Sequence, residues 1–456
     1  MTESSPNVVI VLADQWRAQA CGYAGDNQVR TPHLDRLAAE SINYRKAVSG
    51  IPVCTPARGC MLTGLYAQTH GLFVNDVHLA DDVESMGKIF GRNGYDTAYI
   101  GKWHVDGRGR DAPIPRESRQ GFEYWKVLEC THSYNRSLYY DHDKTEPDIW
   151  PDYDARDQTR DACRWVEERS DSDKPFLLFL SWGPPHDPYE TAPPEFKAMY
   201  DPDSIELRPN VPPEVADLAR ERIAGYYAHC SALDSCVGEL RDTLQAQGLE
   251  ENTIFLFLSD HGDMLGSQGQ HMKQRPWEES IRVPFLLRWP AGLGTEARTE
   301  DAPIDIVDVL PTLLGLCGLE ARSAMEGLDF SGHLRGGEDP SGGQALVMCL
   351  QPFGQFVRTA GGREYRGLVT DRYTYVEDLD GPWLLYDDEK DPYQLNNLAN
   401  QPDHSELQAS LRRDLHVLLD RRNDKFLSGD EYVEQFGYTV DETGTVGYTF
   451  LYGRQS

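Results

Sequence analysis

Close to its start the sequence reads Val8-Val9-Ile10-Val11-Leu12-Ala13-Asp14, an apolar run that ends in a carboxylate. A β-rich run without polar alternation is typical of a strand that is buried on both faces, as in a parallel sheet. Runs of the same kind follow further along the chain, at 175–182 (PFLLFLSW), 253–260 (TIFLFLSD) and 283–289 (VPFLLRW). We therefore predict a large, mostly parallel central sheet.

Helical patterns lie between these runs, after Cys54 and at 33–42, 84–94, 160–169 and 221–248. Strands that alternate with helices predict an α/β sandwich. Beyond a Gly-rich polar connector at 333–344, three short strand-like segments precede a helix at 405–422. We predict a large α/β domain over 1–340 and a smaller C-terminal domain over 345–456, which combines an antiparallel sheet with one helix.

The chain has 456 residues and a formal net charge of −30, from 44 basic and 74 acidic side chains. This balance argues against a nucleic-acid or anionic-membrane binder, because both need basic surfaces. The N-terminal residues lack the basic region of a signal peptide, and no segment approaches the roughly 18 apolar residues that span a bilayer. Nine cysteines without regular spacing favour free thiols, so we expect a cytoplasmic protein.

The tail after residue 425 is rich in aromatic side chains, with seven between Phe426 and Tyr452. So many aromatic residues are atypical of a disordered segment. We expect the tail to pack on its own domain or on a neighbouring subunit. The second arrangement predicts a homo-oligomer held together through this tail.

Two of the predicted strands end in carboxylates, Asp14 and Asp260, and His261 follows the second. The carboxyl ends of strands in open α/β sheets meet at one edge, where binding sites form. Oxygen ligands gathered there suit a hard divalent cation. One such Asp alone is more simply a cap of the next turn. Two of them, one within Ser-Asp-His-Gly-Asp, favour a metal site.

Basic side chains also follow predicted strands. They are Lys102 and His104, His186 in a Pro-flanked loop, and the group His271, Lys273 and Arg275. Lys102 and His104 would share one face if their strand continued through both. Each residue alone is more simply a solvated or hydrogen-bonded surface group. Their common position after strand ends favours a cationic pocket for a tetrahedral oxyanion.

The stretch Cys54-Thr55-Pro56-Ala57-Arg58-Gly59-Cys60 contains two cysteines six residues apart. Pro56 suits the first turn of a helix, so Cys54 would lie at the helix start, where free N–H groups bind anions and favour a thiolate. Arg58 would reach the same anion and Cys60 would face the core. A disulfide is disfavoured in a reducing compartment, and a zinc site lacks a second Cys or His pair. Cys54 is thus a candidate nucleophile, although a thiol beside an oxygen-ligated metal would be unusual.

Together these motifs resemble the type I sulfatases of the alkaline phosphatase superfamily. The family signature C-x-P-x-R corresponds to 54–58, followed by Thr63-Gly64, and a second signature corresponds to 94–104, ending in Gly101-Lys102-Trp103-His104. The segments 184–189, 259–263, 273–279 and 307–319 also match. The resemblance covers about 7–400 and implies an alkaline phosphatase-like sandwich with 1–340 as the catalytic domain.

The resemblance also implies that a formylglycine-generating maturase oxidises Cys54 to formylglycine (3-oxoalanine). The hydrated aldehyde would supply the oxygen that attacks sulfur, which removes the difficulty of a thiol nucleophile. A divalent cation, Ca²⁺ by analogy, would be held by Asp14, Gln15, residue 54, Asp260 and His261.

The remaining catalytic roles follow from the same resemblance. Arg58 and Lys102 would hold the formylglycine and the sulfate charge. Lys273 and His186 would face the bridging oxygen, with His186 as the general acid to the leaving alcohol. His104 would accept a proton from the remaining hydroxyl, so that sulfate leaves and the aldehyde is regenerated.

Three positions depart from the family pattern. Gln15 stands where many sulfatases have Asp, and His261 stands where many have Asn. The lower ligand charge leaves Mn²⁺ or Mg²⁺ open beside Ca²⁺. Gln268 stands where relatives commonly carry His, and we assign it no catalytic role.

We expect the substrate to be a small sulfated carbohydrate, with an aryl or choline-type sulfate left open. Two rivals remain, a phosphonate or phosphate monoester hydrolase of the same superfamily and a catalytically inactive homologue. The segment Lys102-Trp103-His104 favours the sulfatase. Three variable segments, at 104–111, 131–140 and 358–366, would supply specificity, although solvation is the simpler interpretation of any one basic group in them. The predicted substrate-binding residues are Lys102, His186, Lys273, Arg108, Arg110, His132, Arg136 and Arg363.

Overall fold

The computed structural model describes residues 5–447. In chain order its strands are β1 Asn7–Asp14, β2 Ile42–Tyr44, β3 Ala47–Val48, β4 Asp96–Lys102, β5 Tyr124–Leu128, β6 Leu138–Asp141, β7 Asp148–Ile149, β8 Phe176–Pro185, β9 Thr253–Ser259, β10 Phe285–Arg288, β11 Arg298–Glu300, β12 Ile304–Asp305, β13 Gln344–Cys349, β14 Tyr365–Thr370, β15 Tyr373–Asp378 and β16 Gly381–Asp387. The helices are α1 Pro32–Ala38, α2 Cys54–Thr63, α3 Ala67–His70, α4 Met86–Arg92, α5 Asp154–Glu167, α6 Pro194–Lys197, α7 Ala216–Ala246, α8 Glu278–Ile281, α9 Pro290–Leu293, α10 Val309–Cys317, α11 Ser331–Leu334, α12 Ser405–Arg421 and α13 Gly429–Phe436.

The central sheet has ten strands in the order β11-β2-β10-β9-β1-β8-β4-β5-β6-β7. Its middle, from β9 to β5, is parallel, which confirms the prediction of a mostly parallel sheet. The apolar run at 283–289 forms β10, which is antiparallel to β9. A strand that is buried on both faces has an unbroken apolar sequence whether it is parallel or antiparallel to its neighbour. The run alone therefore did not reveal the direction of β10.

Successive side chains of β1 enter two separate hydrophobic layers, because strand side chains alternate between faces. Val8, Ile10 and Leu12 pack on the side of α2, α4 and α10, whereas Val9 and Val11 pack on the side of α1, α5 and α7. These side chains are 0% exposed. Each contributes about 1.5–3 kcal/mol of burial free energy, so β1 anchors both layers and holds its C-terminal carboxylate in place.

A second, antiparallel sheet of β13-β14-β15-β16 lies in the C-terminal part, where α12 covers it with Leu411 and Leu415. The prediction of an antiparallel sheet covered by a helix is confirmed, but the second helix α13 and the strand β13 were not predicted; the residues of β13 follow directly on the Gly-rich connector. The backbone N–H of Met348 in β13 donates to the carbonyl of Gly50 at 2.7 Å. The two parts share one continuous core, and the domain division at 340–345 stays a prediction.

The described part of the aromatic tail packs on its own chain. The ring of Phe73 lies 5.4 Å from the rings of Phe436 and Tyr438 and 5.9 Å from that of Tyr432. Three of the seven tail aromatics, Tyr448, Phe450 and Tyr452, lie outside the described residues. The predicted subunit contact through the tail therefore stays a prediction.

All nine cysteines are free thiols, so the disulfide between Cys54 and Cys60 is excluded. Cys60 is 4% exposed, and its sulfur lies 3.4 Å from Nε2 of His70. Within residues 5–447, no helix has both the length and the apolar character needed to cross a membrane.

Candidate active site

Strand register brings the two acidic strand ends together. In the parallel pair β1–β9, Ala13 is aligned with Ser259, so Asp14 and Asp260 are the next residues at the same edge. The backbone N–H of Gln15 donates to Asp260 Oδ1 at 3.0 Å. Asp14 and Asp260 are both 0% exposed, and this edge of the sheet forms the floor of the site.

The N-terminal end of α2 presents Cys54 to this floor. Cys54 is the first residue of the helix, and Pro56 lies in its first turn. The Cys54 sulfur lies 3.6 Å from Asp14 Oδ1 and 3.2 Å from His261 Nε2. Cys54 is thus held beside the acidic strand ends, at a helix start whose partial positive charge favours an anion.

One turn further along α2, Arg58 joins the two carboxylates. Its guanidinium donates to Asp260 Oδ2 at 3.2 Å and to Asp14 Oδ2 at 3.1 Å, with a further bond to the carbonyl of Lys102 at 3.0 Å. All of these groups are buried. Arg58 therefore neutralises part of the acidic floor and fixes the position of α2 against β1 and β9.

Lys102 is the last residue of β4, and its ammonium donates to Asp14 Oδ2 at 2.6 Å. His104 does not continue the strand, because its φ of 59° turns the backbone into the left-handed region. The strand does not continue through both residues, so the condition for Lys102 and His104 to share one strand face is not met. His104 still lines the same cavity as Lys102, where its Nε2 lies 3.1 Å from Asp76 Oδ1.

Lys273 and His186 form the opposite wall. The Lys273 ammonium lies 2.6 Å from His186 Nε2, 3.3 Å from the Cys54 sulfur and 2.9 Å from Gln15 Oε1. Burial, followed by the charge of Lys273, holds the pKa of His186 well below its usual range. In this state His186 is neutral, and its Nε2 accepts the hydrogen bond from Lys273.

Four side chains could hold a metal ion, since their ligand atoms all lie within 4.8 Å of one another: Asp14, Cys54, Asp260 and His261. Burial and the neighbouring charge of Asp14 raise the pKa of Asp260 to about 6. A cation between the two carboxylates would relieve this repulsion, and the oxygen and imidazole donors suit a divalent metal. The predicted ligand Gln15 donates through its amide to Asp263 Oδ2 at 2.8 Å and accepts from Lys273 through its oxygen.

The site carries more cationic than anionic groups around Cys54. Burial opposes ionisation of the Cys54 thiol, as does Asp14, but Lys102, Lys273 and His261 hold its pKa well below 9.0. Burial also opposes the charge of His104, yet the neighbouring Cys130 and the hydrogen bond with Asp76 raise the pKa of His104 to about 10. An anion entering the site would therefore meet a concentrated positive field in a region of low dielectric.

A cavity of about 220 Å³ opens above Cys54. Lys102, His104, His186 and Lys273 line it together with two residues from the predicted specificity segments, Arg110 and His132. The His132 ring stacks on the His186 ring at 4.9 Å. Arg110 binds both oxygens of Asp76, at 3.2 and 3.0 Å.

Three other predicted contact residues lie outside the set that lines this cavity. Arg108 pairs with Asp106 at 2.7 Å, and Arg136 is exposed. Arg363 pairs with Asp378 and lies over the Trp383 ring. The structure therefore does not bring Arg108, Arg136 and Arg363 to the catalytic cavity.

Two further positions singled out in the sequence, Arg275 and Gln268, have structural partners. Arg275 donates to the carbonyls of Gly361 and Ala360, at 2.8 and 3.2 Å, away from the Cys54 cluster. The amide of Gln268 donates to the carbonyl of Gln394 at 2.9 Å, in keeping with the absence of an assigned role.

Sequence reasoning missed several residues at the cavity. Asp76 is 3% exposed and joins His104 to Arg110, and the side chain of Asn75 accepts from the backbone N–H of Thr55 at 3.1 Å. The dipeptide Asn75-Asp76 between apolar stretches was an available signal. The upper wall comes from five residues of the C-terminal part at which no local pattern indicated a site: Phe353, Gly354, Gln355, Phe356 and Thr445.

Comparison with protein families gives two matches. The family described as Sulfatase matches residues 6–319. The family described as N-sulphoglucosamine sulphohydrolase, C-terminal, matches residues 266–421. The first match covers more than half of the chain and includes the strand ends, α2 and Lys273.

Individual relatives agree with these matches. The chain is 44% identical over 440 residues to an ulvan-active sulfatase of Formosa agariphila, covering 95% of this chain and 85% of the relative. It is 31% identical over 484 residues to an endo-4-O-sulfatase of Bacteroides thetaiotaomicron, covering 92% of each. A solved structure labelled 4S-sulf, from work on glycosaminoglycan metabolism by Bacteroides thetaiotaomicron, superimposes with a TM-score of 0.84 at 29% identity and covers 95% of this chain and 98% of that one.

Proposed function

This chain belongs to the sulfatase family and is a sulfuric ester hydrolase, and from that premise we propose that it removes sulfate from a carbohydrate through a formylglycine made from Cys54. Formylglycine supplies a hydrated aldehyde oxygen as the nucleophile. Because Cys54 is 1% exposed, a maturase would have to act on the chain before it folds. The nine free thiols support a reducing compartment, and we keep the cytoplasm as part of the proposal.

One observation carries this proposal. Lys102, Lys273 and Arg58 surround the helix start that presents Cys54, while His104 and His186 line the cavity above it. These groups are each at most 5% exposed, so their charges act at low dielectric. A sulfate group placed above residue 54 would meet cations on several sides, and these cations would also stabilise the charge that develops during transfer.

A divalent metal fits the same floor. Asp14, Asp260, His261 and residue 54 would hold it, with the Gln15 amide oxygen as a further ligand once it is released from Lys273. The metal would polarise sulfate oxygens and lower the pKa of the nucleophile. Ca²⁺ is our first choice by family analogy, and Mn²⁺ or Mg²⁺ remains open because Gln15 brings no charge.

The leaving-group proton is proposed to come from the Lys273–His186 pair. Lys273 is an ammonium 2.6 Å from His186 Nε2, so the two side chains share one hydrogen bond beside Cys54. Either atom can face the bridging oxygen, and the pair can pass a proton to the departing alcohol. On the other side, His104 is proposed to accept a proton from the hydrated aldehyde at Nδ1, while its Nε2–H stays bonded to Asp76; this requires that the ring be neutral, with Nδ1 unprotonated, when the aldehyde is regenerated.

A sulfated carbohydrate is the proposed substrate class. The printed names of the relatives describe activity on ulvan and 4-O-sulfate removal. The cavity of about 220 Å³ is the right size for one sulfated sugar unit, and Arg110 and His132 at its wall offer polar contacts. An aryl or choline-type sulfate is the alternative substrate class, and it would make no use of the polar groups of Arg110 and His132.

The experiment is a sulfate-release screen with the protein coexpressed with a maturase, using sulfated mono- and oligosaccharides, 4-nitrophenyl sulfate, choline sulfate and an aryl phosphonate. We expect the highest kcat/KM for a sulfated sugar, and a preference for the phosphonate would overturn the proposal. Intact mass should show residue 54 about 18 Da lighter than cysteine. An unmodified protein without activity on any sulfate ester would support the inactive-homologue reading.

A further inference from the structure

A larger cavity lies beside the catalytic one. It has a volume of about 500 Å³ and opens between the loop after β8, helix α6 and the first half of α7. We call it the outer groove; its lining includes Tyr189, Lys197, Tyr200, Glu221 and Arg222. The catalytic machinery described above does not use it, although it exceeds the catalytic cavity in volume.

The outer groove adjoins the catalytic cavity on the side of the leaving group. Asp187 and Met272 line both cavities. Asp187 follows His186 directly, and Met272 directly precedes Lys273. Since His186 and Lys273 are the pair proposed to face the bridging oxygen, an alcohol that departs there lies next to the mouth of the outer groove.

Arg222 is the distinctive group in the groove. It is half-buried on α7 and has no hydrogen-bond or ion-pair partner among residues 5–447. Lys197, by contrast, already donates to the carbonyl of Glu190 at 2.9 Å. Burial and then the charge of Arg222 lower the pKa of His271, which places the two side chains near each other. Nδ1 of His271 is buried and has no hydrogen-bond partner in the described part of the chain.

An unpaired guanidinium in a cavity is unexpected in a chain with a net charge of −30, where acidic partners are abundant. The acidic groups of the lining, Glu190 and Glu221, are exposed at the rim and do not pair with it. The hydroxyls of Tyr189 and Tyr200 are bonded to Asp263 and Ser231, so their rings serve as wall. Such a wall with rim carboxylates suits sugar rings and hydroxyls, and Arg222 adds a site for one anion.

We propose that the outer groove is a subsite for the sugar residue next to the sulfated one, and that Arg222 binds an anionic group on that neighbour, either a carboxylate or a second sulfate. This inference rests on the proposed carbohydrate sulfatase activity and narrows it. The enzyme then acts on oligosaccharides with acidic neighbouring residues in preference to isolated sulfated sugars. Asp187 forms the passage between the two sites, since its Oδ1 lies 3.1 Å from His186 Nδ1.

The test compares Arg222→Gln with the matched control Arg413→Gln, which removes an exposed arginine of α12 that has no ion-pair partner within 5–447. Each matured protein is assayed on one sulfated monosaccharide and on disaccharides whose neighbouring sugar carries a carboxylate, its methyl ester, a second sulfate or no charge. We expect Arg222→Gln to reduce the ratio of disaccharide to monosaccharide kcat/KM about fivefold to tenfold, as expected for one charge-assisted contact. The reduction should occur with the anionic neighbour only, and the carboxylate and sulfate arms identify the group that is bound.

The outcomes separate the two levels of the proposal. Wild-type protein without activity on any sulfated sugar would overturn the proposed function itself. Wild-type activity that is equal for monosaccharide and disaccharides would overturn the subsite alone. A loss in Arg222→Gln that is the same for charged and uncharged neighbours, or that Arg413→Gln reproduces, would also contradict the role of Arg222.

Discussion

The Lys273 ammonium lies 2.6 Å from Nε2 of His186 and 3.3 Å from the Cys54 sulfur. This contact joins a residue that follows β8 to one downstream of β9. It makes Lys273 the donor and His186 the acceptor before substrate binds. The source of the leaving-group proton is thus a pair of side chains, and this arrangement can be tested with leaving groups of different basicity.

Lys273→Met should selectively slow the hydrolysis of sulfate esters that have poor leaving groups. We expect kcat/KM for a sugar sulfate to fall about 10²–10⁴-fold, since alkoxide departure needs a proton. For 4-nitrophenyl sulfate the loss should be much smaller, since nitrophenolate leaves without one. Lys390→Met, at a side chain that is 74% exposed, serves as the control. Equal losses for both substrates would show that Lys273 binds sulfate without supplying a proton.

Arg58→Met should destabilise the metal-free protein. The substitution leaves Asp14 and Asp260 buried without their shared partner, which costs about 3–5 kcal/mol. Arg45→Met removes the partner of Asp301 at a site that is more than half exposed and should cost less than about 1 kcal/mol. Urea unfolding at fixed pH compares the two variants. Similar free energies of unfolding would contradict the structural role of Arg58.

Metal binding should stabilise the folded protein. Chelation is expected to abolish activity and lower the melting temperature, and a metal at 100 times its Kd should restore about 2.7 kcal/mol. Comparison of Ca²⁺, Mn²⁺ and Mg²⁺ by thermal unfolding ranks the three ions. His261→Ala should remove most of the metal-induced shift, whereas His416→Ala, at a half-exposed histidine, should retain it. An unchanged shift in His261→Ala would place the metal elsewhere.

Gly101→Ala should misplace Lys102. The added Cβ would lie 2.0 Å from the carbonyl oxygen of Ser181, and the φ of +106° disfavours any L side chain. We expect a loss of several kcal/mol in stability together with the loss of activity. Gly94→Ala, at φ +87° with nothing within 4 Å, isolates the backbone strain and should cost only about 1 kcal/mol. Comparable stability of the two variants would refute the close-approach argument.

Asp154 should make stability fall with rising pH. Burial raises the pKa of Asp154 to about 8 from its ordinary value of 3.8, so the folded state holds a proton that the unfolded state has released. Its contribution is complete below pH 3.8 and is lost as the pH rises through about 8. Between pH 6 and pH 8, the free energy of unfolding of the wild type should therefore fall by about 2 kcal/mol more than that of the Asp154→Asn variant. Parallel pH profiles in urea unfolding would show that Asp154 is ionised in the folded protein.

Much of the fold could be predicted from the sequence, because the pattern of apolar residues follows directly from which faces of a strand or helix are buried. The runs that became β1, β8 and β9 are buried on both faces, and the segment 405–422 became α12 with one residue of difference. The direction of β10 could not be read from its apolar run, because burial pattern and strand direction are independent. The end of β4 before His104 could not be read either, because it depends on a single backbone angle.

The sequence by itself determined the chemical inventory and its approximate placement: two carboxylates at strand ends, a cysteine at a helix start and basic residues after strands. Residue type and local periodicity are sufficient for this, because both depend on near neighbours in the chain. Only the tertiary structure decided which groups touch. The Lys273–His186 contact, the Asp76–His104 pair, the wall from 353–356 and the outer groove with Arg222 join residues distant in sequence. Such contacts depend on how helices and loops pack around the sheet, and no local pattern encodes that packing.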